Sequence, residues 1–389
     1  MMALSDVRIL DLTRLFPGAY CTLLLADLGA DVIKVEDTES GDYLRWTPPM
    51  VDEYSAVFHA LNRNKRSIAL NLKSGPGRDA FLDMVKSADV ILESFRPSVM
   101  DRLGLDYETL ASRNPRIILC SISGYGQDGP YRDRAGHDLN YAALSGVLSV
   151  QGESGSVPAM PALQVGDFGG GALNAAIAIL AALHQRAQTG SGQRCDIAML
   201  DGLISWMSPQ VAQYSASRAV PGPGSLLLNG RYPCYNTYRC ADGTVTVAAL
   251  EPKFWDALVT SLGLSHLAGQ GLAEGIDGER IASELQRALR QRTRAQIAEL
   301  GDVADVCCEP VLTVDEVFDV PQVIHRGSLL PPGVAGPVAQ AANPIRLSGS
   351  AATVRRGAPA WGADTRDILQ EAGYGDAEIV GLVAAGAIR

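Results

Sequence analysis

Paired cysteines in metal-binding or redox spacing are absent from this 389-residue sequence. Its seven cysteines form no C-x-x-C, which excludes the usual structural zinc spacings and dithiol redox motifs. No apolar run reaches the roughly 20 residues that cross a bilayer. Basic side chains are outnumbered, 33 Lys and Arg against 43 Asp and Glu, and a net charge of −10 argues against binding to nucleic-acid phosphates. We therefore expect no metal, no nucleic acid and no membrane among the partners.

Two catalytic signatures, G-x-S-x-G and H-E-x-x-H, are missing as well. Residues 1–6 have neither the basic segment nor the apolar run of a secretory signal, so we expect a cytoplasmic protein. Hydrophobic residues make up 47% of the chain and charged residues 20%. This composition is typical of a globular protein with enough apolar side chains for a large core.

Short apolar runs alternate with helical patterns over the first third of the chain. The strand patterns are residues 7–12, 30–35, 67–72, 88–92 and 116–121, and helical patterns lie at 19–28 and 77–87. This alternation predicts an α/β fold, with a large Rossmann-like domain built on a mainly parallel sheet. Ligands of such sheets bind at the carboxyl ends of the strands, so we expect functional side chains in the loops that follow them.

The middle of the chain is dominated by one apolar helical pattern. Residues 172–188 are apolar almost all round, which predicts a buried helix, and Gly190 and Gly192 predict its end. A second helix is predicted over 196–215. Proline and glycine at 221–224 then indicate a linker.

The remaining sequence predicts a second, smaller α+β domain and a tail. Hairpin signals surround Ala241-Asp242-Gly243, and helical patterns follow at 252–262 and 279–299. Residues 331–364 are dense in Pro, Gly and Ala and predict an extended segment, closed by helices at 365–373 and 376–385. The predicted parts are 1–190, a large α/β domain; 191–225, a linker helix and linker; 226–320, the small domain; and 321–389, the C-terminal segment.

Some motifs look more informative than they are. Residues 124–129 match G-x-G-x-x-G after a predicted strand, but Pro130 follows where a dinucleotide site needs a helix to open. Asp167-Phe168-Gly169 spells a kinase motif, yet the other kinase signatures are missing. Cys307-Cys308 is best interpreted as two buried thiols, with reactivity as the alternative.

Three segments carry more specific chemistry. His137 stands between polar neighbours after a loop, where a structural histidine is the alternative to a functional one. Asp167 lies in a glycine run before the apolar helix, where it is either a helix cap or a carboxylate beside a ligand. Glu251 precedes Pro252 at the end of a predicted strand, and the alternative there is an ordinary helix start.

These segments together resemble the family III CoA-transferases and their racemase branch, the α-methylacyl-CoA racemases. The resemblance covers essentially the whole chain. Other matching segments are residues 17–18, 25–32, 64–67, 72–73, 93–97, 123–127 and 310–312.

The resemblance implies an architecture and a ligand. It implies a large domain built from both ends of the chain, a small inserted domain, and two chains interlocked as a homodimer with the active site between them. The substrate would be an acyl-CoA, with no cofactor beyond CoA itself and no metal. The residues implied to contact CoA are Lys65, Arg66, Leu72, Lys73, Arg96, Gly124 and Tyr125.

The family also implies two chemistries. In transferases, the aspartate matched by Asp167 attacks the thioester and carries covalent intermediates. In racemases the same aspartate and the histidine matched by His137 exchange protons at the α-carbon, and Glu251 supports the histidine. An acyl-CoA binding protein without turnover is a third, non-catalytic possibility.

Three features favour the racemase branch. His137 stands where many transferases carry Tyr, Glu251 is present, and the contiguous glycine loop of the transferases is missing from residues 222–230. Asp37 departs from the racemases, which often hold an Arg for CoA at that position. The free N–H groups around residues 167–170 are the predicted donors to an enolate oxygen.

Overall fold

A computed structural model describes residues 1–153 and 155–389. The described chain divides into two compact units. The larger unit contains residues 1–145, 162–206 and 321–389, and the smaller one contains residues 146–161 and 207–320. The segment 191–206, which we predicted as part of a linker, therefore groups with the larger unit.

A six-stranded parallel sheet forms the centre of the larger unit, in the spatial order β5-β2-β1-β6-β7-β8. The strands of this unit before the C-terminal segment are β1 (Arg8–Asp11), β2 (Asp31–Glu36), β3 (Met50–Val51), β4 (Tyr54–Ser55), β5 (Lys65–Ala69), β6 (Val90–Glu93), β7 (Ile118–Ser123) and β8 (Arg194–Ala198). Strands β3 and β4 form a separate short hairpin. The neighbours Ile9 and Leu10 point to opposite faces of β1 and are both fully buried, so both faces of the sheet are covered.

The five predicted strands of this sheet are confirmed, but the sixth was missed. Residues 194–198 form β8, paired with β7, where we predicted a linker and the start of a helix over 196–215. Arg194 and Asp196 alternate with less polar neighbours in this strand, a period-two pattern too short to be separated from the helical pattern that follows.

Helices cover the sheet. Those of the larger unit before the C-terminal segment are α1 (Leu15–Asp27), α2 (Ala56–Leu61), α3 (Gly75–Val85), α4 (Val99–Arg102), α5 (Tyr107–Arg113), α6 (Asp138–Leu144), α7 (Asn174–Thr189) and α8 (Met199–Trp206), with a 3-10 helix at Tyr43–Trp46. A π-helical segment, Gly166–Leu173, runs directly into α7. Gly190 ends α7 at a φ of 78°, as predicted.

The prediction that the apolar helix is buried all round is wrong for this chain. One side of α7 packs inside, with Ile179 fully buried, whereas Ile177 on another side is 65% exposed. The continuous helical stretch Gly166–Thr189 has 24 residues, and its most apolar 18-residue window has a mean hydropathy of 1.4, enough by length and composition to cross a membrane. Half of its most apolar window is buried, and core helices of globular proteins pass the same test.

The smaller unit is α+β. Its three-stranded antiparallel sheet has the order β11-β10-β9, and the predicted hairpin around Asp242 is confirmed as the β9–β10 connection. Its strands and helices are α9 (Ser208–Ser217), β9 (Tyr235–Arg239), β10 (Thr244–Ala248), α10 (Pro252–Ser261), α11 (Gly275–Leu289), α12 (Arg294–Val303) and β11 (Cys308–Pro310), with 3-10 helices at Val147–Val150, Ser265–Leu267 and Glu316–Asp319.

The predicted helix 279–299 is two helices. Thr293 caps the second one, because its hydroxyl accepts from the Gln296 N–H while the Gln296 side chain accepts from the Thr293 N–H. The side chains of Cys307 and Cys308 are half-buried and buried, respectively.

The C-terminal segment belongs to the larger unit. Its elements are α13 (Pro321–His325), β12 (Leu329–Leu330), β13 (Gln340–Ala341), α14 (Thr365–Glu371) and α15 (Asp376–Ala384). Irregular chain otherwise connects β13 to α14, as predicted. Arg355 in this stretch donates to the carbonyl oxygens of Gly29 and Ala26 and so attaches it to the end of α1.

Candidate active site

A cavity of about 320 Å³, here called the His137 cavity, opens beyond the carboxyl ends of β6 and β7. Loops after β1, β6 and β7 contribute most of its wall, in keeping with the rule for parallel sheets. The predicted site residues that line it are Arg96, Gly124, Tyr125, His137 and Asp167. The fold therefore brings together side chains that lie as far as 71 positions apart in the sequence, from residue 96 to residue 167.

The π-helical segment places the Asp167 carboxyl in this cavity. Burial, and then the neighbouring Asp138 carboxylate, raise the pKa of Asp167 to about 7 from its ordinary 3.8. At neutral pH the carboxyl is thus divided between its protonated and ionised forms, which suits a group that exchanges protons.

Glycines allow the π-helical segment to pack closely against α8. A Cβ at Gly170 would lie 2.6 Å from the carbonyl oxygen of Met199, and one at Gly202 would lie 2.5 Å from the Gly170 Cα. A Cβ at Gly169 would likewise clash with the indole ring of Trp206. The glycine run therefore serves close contact with α8, and π-helical turns of this kind are frequent at functional sites.

His137 stands at the start of α6. Its backbone N–H donates to Asn140 Oδ1 over 3.0 Å, and its carbonyl oxygen accepts from the Asn140 N–H. These bonds fix the backbone on both sides of the imidazole, whose exposed ring lines the cavity. His137 and Asp167 thus supply two different proton-transfer groups to one space.

Asp138 is a site residue that our sequence analysis missed. Its Oδ1 accepts from the backbone N–H of Asp167 over 2.9 Å, which joins the histidine segment directly to the glycine-rich segment. The carboxylate adjacent to His137 was visible in the sequence, but its partner 29 positions away was not.

The predicted oxyanion donors are not free. The N–H of Asp167 donates to Asp138, and the N–H of Phe168 donates to the Gln164 carbonyl oxygen over 2.9 Å. For these two groups the prediction is wrong, because the Asp138 carboxylate binds the first N–H and the carbonyl oxygen of the preceding turn binds the second.

Packing against the Tyr141 ring explains why the cavity is lined by glycine at positions 124 and 136. Tyr141 donates its hydroxyl to the Gly136 carbonyl oxygen over 2.6 Å, and its ring meets Tyr125 edge to face. A Cβ at Gly124 or Gly136 would come within 2.7 Å of the Tyr141 ring. Burial, with Tyr125 nearby, raises the pKa of Tyr141 to about 12, so it stays a neutral hydrogen-bond donor.

Leu72 and Lys73 line a second cavity of about 330 Å³, here called the Lys73 cavity. Arg14 and Phe95 belong to the walls of both cavities, so the two are neighbours. The Arg14 guanidinium binds the Asp37 carboxylate over 2.6 Å. Burial alone would raise the pKa of Asp37, but backbone N–H donors and Arg14 hold it below its ordinary value.

Two predicted CoA contacts lie elsewhere. Lys65 is fully buried, and its ammonium donates to Asn62 Oδ1 and the Ala19 carbonyl oxygen. The Arg66 guanidinium is engaged by Asp31 and Glu371. Neither residue lines the two cavities, so for both the predicted contact with CoA does not fit this geometry.

Three arginines of the cavity wall were missed, namely Arg14, Arg132 and Arg134. Arg132 and Arg134 follow the β7 loop, and both line the His137 cavity. Arg132 donates to Ser98 Oγ over 2.6 Å, and Arg134 stacks on the Tyr131 ring. Their position after a strand was the available signal, and we interpreted the segment only as a loop.

Glu251 lies in the smaller unit. It precedes α10, its side chain is exposed, and its carbonyl oxygen accepts from the Phe254 N–H over 3.0 Å. The helix start with Pro252 at its first turn is confirmed. The pairing of Glu251 with His137 stays a prediction. Within the described residues, no group of three or more His, Cys, Asp or Glu side chains is placed to hold a metal ion.

Comparison with known proteins identifies a family and several relatives of this chain. Residues 4–365 match the model of CoA-transferase family III. The chain is 35% identical to human α-methylacyl-CoA racemase, covering 98% of this chain and 96% of that protein. It is 36% identical to succinyl-CoA:mesaconate CoA-transferase of Haloarcula marismortui, covering 96% and 97%. A crystal structure of a CAIB/BAIF family protein from Brucella suis superposes with a TM-score of 0.84 at 32% identity, covering 95% and 99%.

This chain therefore belongs to CoA-transferase family III. The family includes both racemases and transferases among the relatives of this chain, at nearly equal identity, so the choice between them depends on the site.

Proposed function

We propose that this protein interconverts the two configurations at the α-carbon of a 2-methylacyl-CoA thioester. The observation that carries the proposal is the presence of two proton-transfer groups, His137 and Asp167, in one cavity, with the Asp167 pKa raised to about 7. A carboxyl with that pKa accepts and releases a proton near neutrality, as an imidazole does. The similarity to human α-methylacyl-CoA racemase supports it.

The chemistry needs one base and one acid on opposite faces of the α-carbon. Asp167 as carboxylate takes the α-proton, the electron pair moves onto the thioester oxygen, and the imidazolium of His137 returns a proton to the other face. The reverse reaction uses the opposite protonation states. Glu251 is proposed to stabilise the imidazolium form, because a nearby carboxylate favours the charged ring.

CoA is proposed to lie across the two neighbouring cavities. Lys73 and Arg96 offer cations to its phosphates, and Leu72 offers an apolar contact for the nucleotide end. Gly124 and Tyr125 then border the thioester end beside His137 and Asp167.

CoA transfer to a free carboxylic acid is the second candidate. The 36% identity to a succinyl-CoA:mesaconate CoA-transferase favours it, as does a single aspartate in the cavity. Asp167 would attack the thioester carbonyl and expel the CoA thiolate, and that thiolate would then attack the aspartyl carbonyl to release the first acid. The second acid would reverse these steps.

We further propose a cytoplasmic homodimer that needs no metal and no cofactor beyond CoA. Exposed apolar side chains support the dimer, among them Ile177 of α7 and Val211 of α9, which are 65% and 56% exposed. Light scattering tests the dimer, and full activity after dialysis against a chelator tests the independence from metal.

Proton NMR of a 2-methylacyl-CoA in D₂O separates the two chemistries. We expect deuterium to enter the α-carbon without any added acid. If no deuterium enters and a new thioester forms only when a free carboxylate is added, the protein is a transferase. If neither reaction occurs although CoA binds, the non-catalytic alternative holds.

A further inference from the structure

We propose that the buried ion pair between Lys34 and Asp42 is a positioning device, which holds the Thr13–Leu15 segment so that CoA can bind. This inference rests on the proposed function, because it concerns the site that would hold CoA. Neither side chain is exposed to solvent, and neither lines the His137 cavity or the Lys73 cavity.

The pair joins three separate segments. The Lys34 ammonium, on β2, lies 2.7 Å from Asp42 Oδ2 and donates to the Thr13 carbonyl oxygen over 3.0 Å. The other Asp42 oxygen accepts from the N–H groups of Leu15 and Leu44 over 3.2 and 3.0 Å. The pair thus fixes both the loop after β1 and the start of the 3-10 helix at residues 43–46.

The loop that it holds is part of the site. Arg14, between the two bonded residues, lines both cavities and donates to the Tyr43 hydroxyl over 2.9 Å. Leu15 lines the His137 cavity, and Tyr43, in the 3-10 helix, lines the Lys73 cavity. A displacement of this loop would therefore move the wall that the two cavities share.

The backbone of the loop is strained, which is why it needs to be held. Leu15 has a φ of 62°, in the left-handed region that a residue with a Cβ avoids. Such a conformation persists only where surrounding contacts determine it, and strained residues of this kind cluster at ligand sites. The Leu15 N–H is bound by Asp42, so the ion pair directly holds the strained residue.

Stability alone does not account for a fully buried ion pair. Removing two charges from water costs free energy that their attraction repays only with good geometry, and apolar replacements are often as stable. Burial acts to lower the pKa of Lys34, but Asp42, Asp11 and Glu36 raise it above its ordinary value, so the ammonium remains charged. The charge is therefore retained where it can order the loop.

Calorimetric titration of the full-length protein with CoA tests this inference. In Lys34→Met/Asp42→Asn both charges are removed together, and the Asn oxygen can still accept from Leu15 and Leu44. The Thr13 carbonyl loses its donor, and we expect CoA to bind about tenfold more weakly, with kcat for the thioester changed less than KM. In Lys34→Gln/Asp42→Asn an amide N–H again faces Thr13, and we expect most of the affinity to return.

A matched control separates positioning from general destabilisation. Arg63 and Asp27 form another buried ion pair, 2.6 Å apart, outside the two cavities. Arg63→Met/Asp27→Asn should lower thermal stability without changing the Kd for CoA. Unchanged CoA affinity in folded Lys34→Met/Asp42→Asn, or equal losses in the Arg63 variant, would overturn the inference.

If the variants do not fold, the hydrogen-exchange rate of the Leu15 amide is measured in the unmodified protein. We expect the Leu15 amide to be protected without any ligand. Exchange as fast as that of an exposed loop would overturn the positioning role. A wild-type protein that neither binds CoA nor turns over any thioester would instead refute the proposed function, and this inference with it. CoA binding together with fast exchange of the Leu15 amide would overturn this inference alone and leave the proposed function standing.

Discussion

Replacing Asp138 with Asn should move the pH dependence of catalysis to lower pH. Burial is the larger cause of the raised Asp167 pKa, and the Asp138 carboxylate is the second. A like charge within about 6 Å raises a carboxyl pKa by the order of one unit. Asn retains an oxygen that can accept from the Asp167 N–H, which Asp138 now binds over 2.9 Å. The substitution therefore removes the charge while it preserves the local geometry.

The assay is the pH profile of kcat/KM for α-proton exchange, which reports the free enzyme. For the enantiomer whose α-proton Asp167 removes, we expect the wild-type activity to rise with pH around a midpoint near 7, as Asp167 ionises. In Asp138→Asn the midpoint should fall by about one unit, because an ionised Asp167 is then less repelled. The rate above the midpoint should change little.

Glu93 provides the control, because burial raises its pKa to about 7 as well. It lies on β6, outside the His137 cavity, and accepts from the Phe95 N–H. Glu93→Gln should leave the midpoint where it is. A midpoint that moves in Glu93→Gln, or that stays fixed in Asp138→Asn, would refute the assignment of this rise in activity to the ionisation of Asp167.

Other substitutions test the same structure by different measurements. Asp167→Asn should raise the free energy of unfolding at pH 8 by about 4 kcal/mol and not at pH 4. The reason is that the pKa of the wild-type carboxyl is raised in the folded state, so the wild-type protein loses stability as pH rises from about 4 to 7. Equal stability of the two proteins at pH 8 in denaturant titrations would contradict this. Gly170→Ala should cost about 1–3 kcal/mol, because its Cβ would meet a backbone oxygen, whereas Gly381→Ala in α15, with open space around it, should be neutral or stabilising in thermal unfolding. Lys73→Ala should weaken CoA binding about tenfold and reduce the salt dependence of that binding. The control is Lys86→Ala, which should change neither, because the Lys86 ammonium pairs with Asp83 on the surface. Equal effects of the two substitutions would exclude Lys73 from the site.

Hydrophobic periodicity predicted most of the large sheet. Four of the five predicted strands agree with the structure to within two residues, because apolar runs between turn residues identify buried parallel strands. Strand β8 was missed because its five residues, 194–198, lead without a break into α8. The burial of α7 was overestimated, since the pattern shows that a helix is apolar but not what covers each side.

The sequence predicted the proposed proton-transfer residues of the His137 cavity better than the residues proposed to bind CoA. His137 and Asp167 were identifiable because their polar neighbours and glycines are unusual for core segments. Lys65 and Arg66 misled the prediction, because they begin strand β5 and do not follow one, and there they pair with the carboxylates of Asp11 and Asp31. The role of Asp138 depends on a hydrogen bond across 29 positions, which only the folded chain shows.

The central claim is that His137 and Asp167 act on opposite faces of one α-carbon. The most direct measurement is to incubate a single enantiomer of a 2-methylacyl-CoA with the protein in D₂O and to follow configuration and deuterium content together. We predict that the opposite enantiomer accumulates with deuterium at the α-carbon, and that His137→Ala slows this by about 10²–10⁴-fold. Retention of configuration in the wild type, or full activity in His137→Ala, would contradict the claim.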